Sequence, residues 1–143
     1  MTNDLPPIMT PQEVLNLMIK RDEFSKWLGL EIDAIELGYC RLHYTVKREM
    51  LNGFERIHGG VLFSAADSAF AFACNSHGII TVALDVSITF TNPAKEGDVL
   101  FVEAKEVHLG NKTGLYDIRT TDSAGKLISV FKGTAYRTGK EVS

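Results

Sequence analysis

Cysteine is scarce: the 143-residue chain holds two, Cys40 and Cys74. Two thiols cannot form the disulfide framework of a small secreted domain, so reduced thiols in a cytoplasmic protein are the expectation. An excess of basic charge is also lacking. Lys and Arg number 15 against 18 Asp and Glu, for a net charge of -3. No basic stripe interrupts that balance, which excludes the electrostatic footprint of a nucleic-acid binder. No long apolar run is present either. The longest apolar region, Val61 to Cys74, is broken by Ser64, Asp67 and Ser68, so no segment reads as a membrane span. Met1 to Thr10 lacks the charged-then-apolar plan of a signal peptide and reads as an extended lead-in. Internal repeats and low-complexity tracts are missing. Cys74 and His77 have no second pair at zinc spacing, so no metal is expected.

What remains is an ordinary globular composition, 45% hydrophobic and 23% charged, over a length that suits one domain spanning 1–143. A chain of this size buries roughly two thirds of the surface its unfolded form exposes. Thr10, Pro11 and Glu13 form a capping signature for an N-terminal helix from Pro11 to about Leu28, closed by Gly29. The core follows, from about residue 29 to 138. Strands are predicted over Leu30–Leu37 and Cys40–Lys47, joined at Gly38, then a loop over Arg48–His58 with Asn52-Gly53 as its turn. Gly59–His77 is apolar nearly all round, which predicts a helix buried on most faces. Beyond it lie strands over Thr81–Thr91, Val99–His108, Leu115–Thr121 and Leu127–Arg137, with connections short enough for an antiparallel meander. In Thr81–Thr91, Val82, Leu84, Val86, Ile88 and Phe90 alternate with Ala83, Asp85, Ser87 and Thr89, predicting one apolar face. The class is α+β: a curved antiparallel sheet wrapped around one long central helix, with an additional N-terminal helix. Its edge strands predict a symmetric dimer.

One residue does not suit the central helix. Asp67 has Phe63, Ser64, Phe70 and Ala71 as its helical neighbours, and no Lys or Arg occurs between Arg56 and Lys95. A carboxylate in such surroundings costs several kcal/mol unless paired or protonated, and desolvation raises its pKa toward the range useful for a general base. The alternative is a carboxylate facing a solvent gap or accepting hydrogen bonds from Ser64 and Ser68. At the start of the helix, His58-Gly59-Gly60 puts two residues without side chains where backbone N–H groups are unpaired. Such a helix start can serve as an oxyanion hole, or glycine can simply ease a tight turn. Asp67 follows Gly59 by eight residues, roughly 12 Å along the axis. One chain cannot close both on one carbonyl, so the spacing suggests a site shared between subunits.

The run Met50-Leu51-Asn52-Gly53, His58-Gly59-Gly60 and Phe63 to Ser76, with Ile88-Thr89-Phe90, Asn92-Pro93-Ala94, Gly97-Asp98 and the loop Gly110–Thr113, resembles the PaaI-type hotdog-fold acyl-CoA thioesterases over about Leu28 to Arg137. The resemblance implies a hotdog fold and subunits paired as a dimer of dimers. It implies Asp67 as the catalytic carboxylate, activating water or attacking the thioester. Gly59 would supply the N–H that polarises the thioester oxygen, Asn52 would orient water or substrate, and His58 would support by hydrogen bonding beside Gly60. Phe90, Asn92 and Lys95, with Gly110, Lys112 and Thr113, fall where relatives hold the coenzyme A arm. Ala83 stands where some relatives carry a serine that assists the water.

The expected reaction is hydrolysis of an acyl-CoA, phenylacetyl or a related aromatic or medium acyl group, to free acid and coenzyme A. No cofactor is needed, because a thioester is already activated. Two alternatives remain open: a hotdog enoyl-thioester hydratase, which needs a histidine acid–base partner, and a non-catalytic acyl-CoA binding module.

Overall fold

The computed structural model describes residues 9–143. Met1 to Ile8, most of the expected lead-in, lie outside the described residues. Helix α1 (Pro11–Arg21) opens with the expected capping box: Thr10 accepts from Glu13 N–H, and the Glu13 side chain accepts from Thr10 N–H. The expected single helix to Leu28 is broken at Asp22, and α2 (Glu23–Leu28) follows. Asp22 breaks it because its carboxylate caps α2, accepting from Ser25 N–H at 2.9 Å and Ser25 Oγ at 2.6 Å. Gly29 ends α2 in the left-handed region.

Strands β1 (Glu31–Glu36) and β2 (Tyr39–Thr45) form a hairpin through Gly38. The loop beyond holds a 3-10 turn at Arg48–Met50 and a single bridge between Leu51 and Ile57. Helix α3 (Gly59–Asn75) comes next, then β3 (Ile79–Phe90), β4 (Val99–Leu109), β5 (Thr113–Thr121) and β6 (Leu127–Glu141). The six strands make one antiparallel sheet in the order β1-β2-β4-β5-β6-β3. Only β4-β5-β6 is a meander. The expected simple meander fails at β3, which follows α3 and pairs with β6 at the far edge, leaving β2 to pair with β4.

The sheet wraps α3. Leu62, Ala65, Ala66, Ala69, Phe70, Phe72 and Ala73 are buried against it. Each large apolar side chain so buried contributes about 1.5–3 kcal/mol. Phe70 sits edge-on to Tyr116 at 5.4 Å between centroids and 5.8 Å from Phe131. The far end of α3 is pinned by Asn75, whose side chain mimics a strand: Oδ1 accepts Thr81 N–H at 2.9 Å and Nδ2 donates to Thr81 O at 3.0 Å. The helix is not apolar all round in space. Gly60, Ser64, Asp67 and Ala71 form one open stripe at helical spacing.

Strand β3 also departs from its sequence pattern. The register shifts between Ala83 and Asp85. One extra residue inverts the alternation of everything beyond it. Val86, Ile88 and Phe90 therefore lie opposite Gly133, Phe131 and Ser129, which are buried, and share that face with Thr81 and Ala83. Val82 and Leu84 are left 48% and 61% exposed on an edge strand. No helix among the described residues is long and apolar enough to cross a membrane.

A Cβ at Gly133 would stand 2.7 Å from Phe70 Cζ, and that ring is held between Tyr116 and Phe131. Gly133→Ala should cost about 1–3 kcal/mol through overpacking. Urea unfolding measures it; an unchanged midpoint would contradict the packing described.

Candidate active site

The first turn of α3 is organised by His58, its N-cap. The ring Nδ1 accepts Gly60 N–H at 2.8 Å, and the His58 carbonyl accepts Val61 N–H at 2.9 Å and Leu62 N–H at 3.3 Å. The N–H of Gly59 finds no acceptor among the described residues. Of the two glycine donors expected to be free, one is thus consumed by the cap and one remains. The remaining donor lies at the positive end of a 17-residue helix. Glycine keeps this start uncrowded: a Cβ on Gly59 would meet the Phe90 ring at 3.0 Å, and one on Gly60 would meet His58 Nδ1 at 2.9 Å.

Asp67 occupies the middle of the open stripe and is half-buried. Neither serine supports it. Ser64 Oγ donates to Gly60 O at 2.8 Å, and Ser68 Oγ shares a 2.8 Å hydrogen bond with Ser25 Oγ. No ion pair reaches it among the described residues. Desolvation by burial is what raises its pKa above the ordinary carboxylate value.

Asn52 belongs to a tight loop. Its Oδ1 accepts Phe54 N–H at 2.8 Å and Arg56 N–H at 3.2 Å, leaving the amide nitrogen without a partner among the described residues. Asn52, Gly59, Phe90 and Asn92 line one cleft of about 570 Å³. Asn92 is fixed there by Nδ2 donating to Leu127 O at 2.7 Å. Arg56 and Pro93 line the same cleft, as do Phe54, Ile57 and Leu62, which were not singled out as cleft residues from the sequence. Phe54 could have been noticed as a phenylalanine in an otherwise polar turn.

The remaining sequence-predicted residues lie elsewhere. Lys95 is exposed in a polar hollow next to the cleft. Ala83 is exposed on β3 opposite Ala135 and offers no polar side-chain atom; the neighbouring Thr81 hydroxyl donates to Ile79 O at 2.8 Å. Gly110, Lys112 and Thr113 form the β4–β5 turn. There Gly110 N–H donates to Thr113 O at 2.7 Å, and Arg137 N–H donates to Lys112 O at 2.7 Å. Thr113 pairs with Tyr136, and Tyr136 with Val82. That turn is therefore beside the start of β3, whereas the cleft is beside its end at Phe90. Within one chain the candidates separate into a group at the start of α3, a group toward its other end, and Asp67 between.

The thioesterase superfamily matches residues 54–129 of this chain. The chain is 45% identical over 130 residues to a putative esterase of Archaeoglobus fulgidus, covering 91% of this chain and 84% of that protein. The chain belongs to the thioesterase superfamily. It is 40% identical over 126 residues to the acyl-coenzyme A thioesterase PaaI of Escherichia coli, covering 88% and 90% of the two chains. The structure of the E. coli PaaI protein from the phenylacetic acid degradation operon superposes with a TM-score of 0.91 at 38% identity, covering 93% of this chain and 96% of that one. This thioesterase is thus of the PaaI type, with the hotdog fold that the resemblance implied.

The cap assigned to His58 has a measurable consequence. His58→Ala should destabilise the thioesterase by about 1 kcal/mol in urea, and His58→Asn, which keeps a side-chain acceptor, should recover most of that loss. Equal losses in both variants would show that the ring does something other than cap Gly60.

Proposed function

We propose that this chain hydrolyses acyl-CoA thioesters at a site shared by two subunits, with Asp67 from one and the Gly59 N–H from the other. The observation that carries the reading is an unpartnered carboxylate and an unpartnered helix-start N–H, held by one chain roughly 12 Å apart. Each lacks what a thioester and its water provide. The edge strand β3, with Val82 and Leu84 exposed, supports pairing with a second copy about a two-fold axis. Such pairing sets the small-residue stripes of the two α3 helices side by side. It also turns the Gly110–Thr113 loop of one subunit toward the cleft of the other. Two such dimers then associate into a tetramer.

In this arrangement the thioester carbonyl lies at the Gly59 N–H, beside the Asn52 amide nitrogen. Phe90, Asn92 and Lys95 of that subunit, with Gly110, Lys112 and Thr113 of the other, hold the coenzyme A arm. Asp67 acts in one of two ways. As general base it takes a proton from water while the oxygen attacks the carbonyl carbon. As nucleophile it attacks the carbon itself, and water then hydrolyses the mixed anhydride. Both routes place negative charge on the carbonyl oxygen, where the fixed N–H dipole stabilises it. The C–S bond breaks, the coenzyme A thiolate takes up a proton, and the acid leaves. The acyl group is phenylacetyl or a related aromatic or medium chain. A hydratase would need a histidine as acid–base partner, and His58 Nδ1 is already committed to Gly60.

Thiol release from a panel of acyl-CoAs is the test. Wild type should turn over aromatic and medium acyl groups, and Asp67→Asn should lose on the order of a hundredfold or more. Turnover by Asp67→Asn at the wild-type rate would reject the assignment.

Stability should move the other way. Burial raises the Asp67 pKa, so the folded chain holds that proton more tightly than the unfolded chain. Its contribution therefore falls as pH rises from the unfolded value through the folded one and stays unfavourable above. At pH 7, Asp67→Asn removes a charge that burial disfavours, and its Tm should be no lower than that of wild type. The acid limb of kcat/KM should lie above the ordinary carboxylate value of 3.8. A limb at or below that value would mean that Asp67 is not the ionising group.

A further inference from the structure

The sheet has two edges, β3 and β1, and they are built differently. The β3 edge shows Val82 and Leu84 to solvent. The β1 edge carries charge that hydrolysis at Asp67 does not use. On the outer face of the β1–β2 hairpin, the His43 ring stands between two carboxylates of β1. Its Nδ1 lies 2.8 Å from Asp33 Oδ1 and 2.9 Å from Asp33 Oδ2, and its Nε2 lies 2.6 Å from Glu31 Oε2. A neutral imidazole has one N–H and one bare nitrogen, so it donates to one carboxylate and turns a lone pair on the other. The imidazolium donates to both. The geometry is therefore that of a protonated ring.

A bulge arranges this. Glu31 pairs with His43 and Ile32 with Leu42, so an unbroken register would set Asp33 opposite Arg41. The register shifts instead. Ala34 takes the place opposite Arg41, and Asp33 is left out of the ladder to reach His43. A permanent aspartate–arginine pair is thereby exchanged for an aspartate–histidine pair that depends on a proton. The other charged groups of this face are engaged elsewhere. Arg41 lies 5.3 Å over the ring of Phe101, the β4 residue opposite His43. Glu103, opposite Arg41 on β4, accepts Tyr39 OH at 2.6 Å and pairs with Lys105 at 3.2 Å. Glu31 and Asp33 thus set the state of the ring. The hydrogen bond with Asp33, aided by the charges of Asp33 and Glu31 and opposed by burial, holds the His43 pKa above the ordinary 6.5.

We propose that Glu31, Asp33 and His43 form a proton-operated clasp: the protonated ring fastens edge strand β1 to β2, and loss of the proton releases that edge. Deprotonation removes one N–H donor and leaves two carboxylates about a neutral ring. β1 has β2 as its single neighbour in the sheet, so the clasp acts on the one ladder that holds it. The fastening is complete below 6.5 and is lost as pH rises through the higher folded value. The segment that it holds follows α2, and α2 is bound to α3 by Ser25 Oγ and Ser68 Oγ, 2.8 Å apart, one residue beyond Asp67. The clasp stands whatever the site hydrolyses.

Proton NMR of the His43 ring, with amide hydrogen exchange of β1 corrected for its intrinsic pH dependence, tests the clasp. The ring should titrate above 6.5 in wild type and fall back toward 6.5 in Asp33→Asn. Wild-type β1 protection should drop about tenfold as pH rises through the ring's midpoint, while β5 protection holds. His43→Arg, a cation throughout, should keep the protection and lose the drop. His43→Gln should lose the drop and show low protection at every pH. A ring midpoint at or below 6.5, level β1 protection across the midpoint in wild type, or an equal drop in His43→Gln would overturn the clasp.

Discussion

The structure turns on a carboxylate that its own chain does not satisfy. Asp67 sits on the one open stripe of a helix that the sheet otherwise encloses, and both adjacent serines bond elsewhere. A fold selected for stability alone gains nothing from such a residue. The cost is tolerable because the stripe is half-open in one chain and flanked by small residues, Gly60, Ser64 and Ala71, which give a second molecule room to approach. Burial then does chemical work. It raises the carboxylate pKa and so makes the ionised form a stronger base than a solvated aspartate.

The rest of the architecture serves that stripe. The bulge at Leu84 puts Val86, Ile88 and Phe90 on one face of β3, so the half-exposed Phe90 ring ends against Gly59 and would crowd a side chain there. His58 consumes the second N–H of the helix start and leaves the first. At the opposite end, Asn75 binds Thr81 as a strand neighbour would, which fixes where β3 begins and hence where its free edge lies. Helix start and edge are set by short-range bonds within one chain.

Much of this was legible in the residues. The capping box at Thr10, the helix from Gly59 and the four later strands follow from local chemistry whose signals sit in adjacent positions. What escaped was decided across the chain. Asp22 looked like a polar position inside a helix until its carboxylate capped the next one. Alternation in β3 looked continuous because a bulge leaves no mark in a run of alternating residues. The order of the strands was hidden because α3 carries the chain across the sheet, and nothing near Ile79 says which edge it will join. At the site, the odd carboxylate and the paired glycines stood out, since each breaks a local rule. The exposed ring of Phe54 did not, because its place on the cleft rim depends on how loops meet in space.

Sharing of one site between two chains is open to a direct measurement by mixing two inactive variants. Asp67→Asn removes the carboxylate. Asn52→Asp keeps the side-chain oxygen that accepts Phe54 and Arg56 N–H and replaces the amide nitrogen proposed beside the Gly59 N–H with a carboxylate oxygen. Each homodimer then lacks one half of both sites, while a mixed dimer regains one complete site. Refolding the two together in equal amounts should restore about a quarter of the wild-type thiol release, as random pairing about a two-fold axis requires. Activity that stays at the level of the separate variants would place both groups in the same chain and contradict the account.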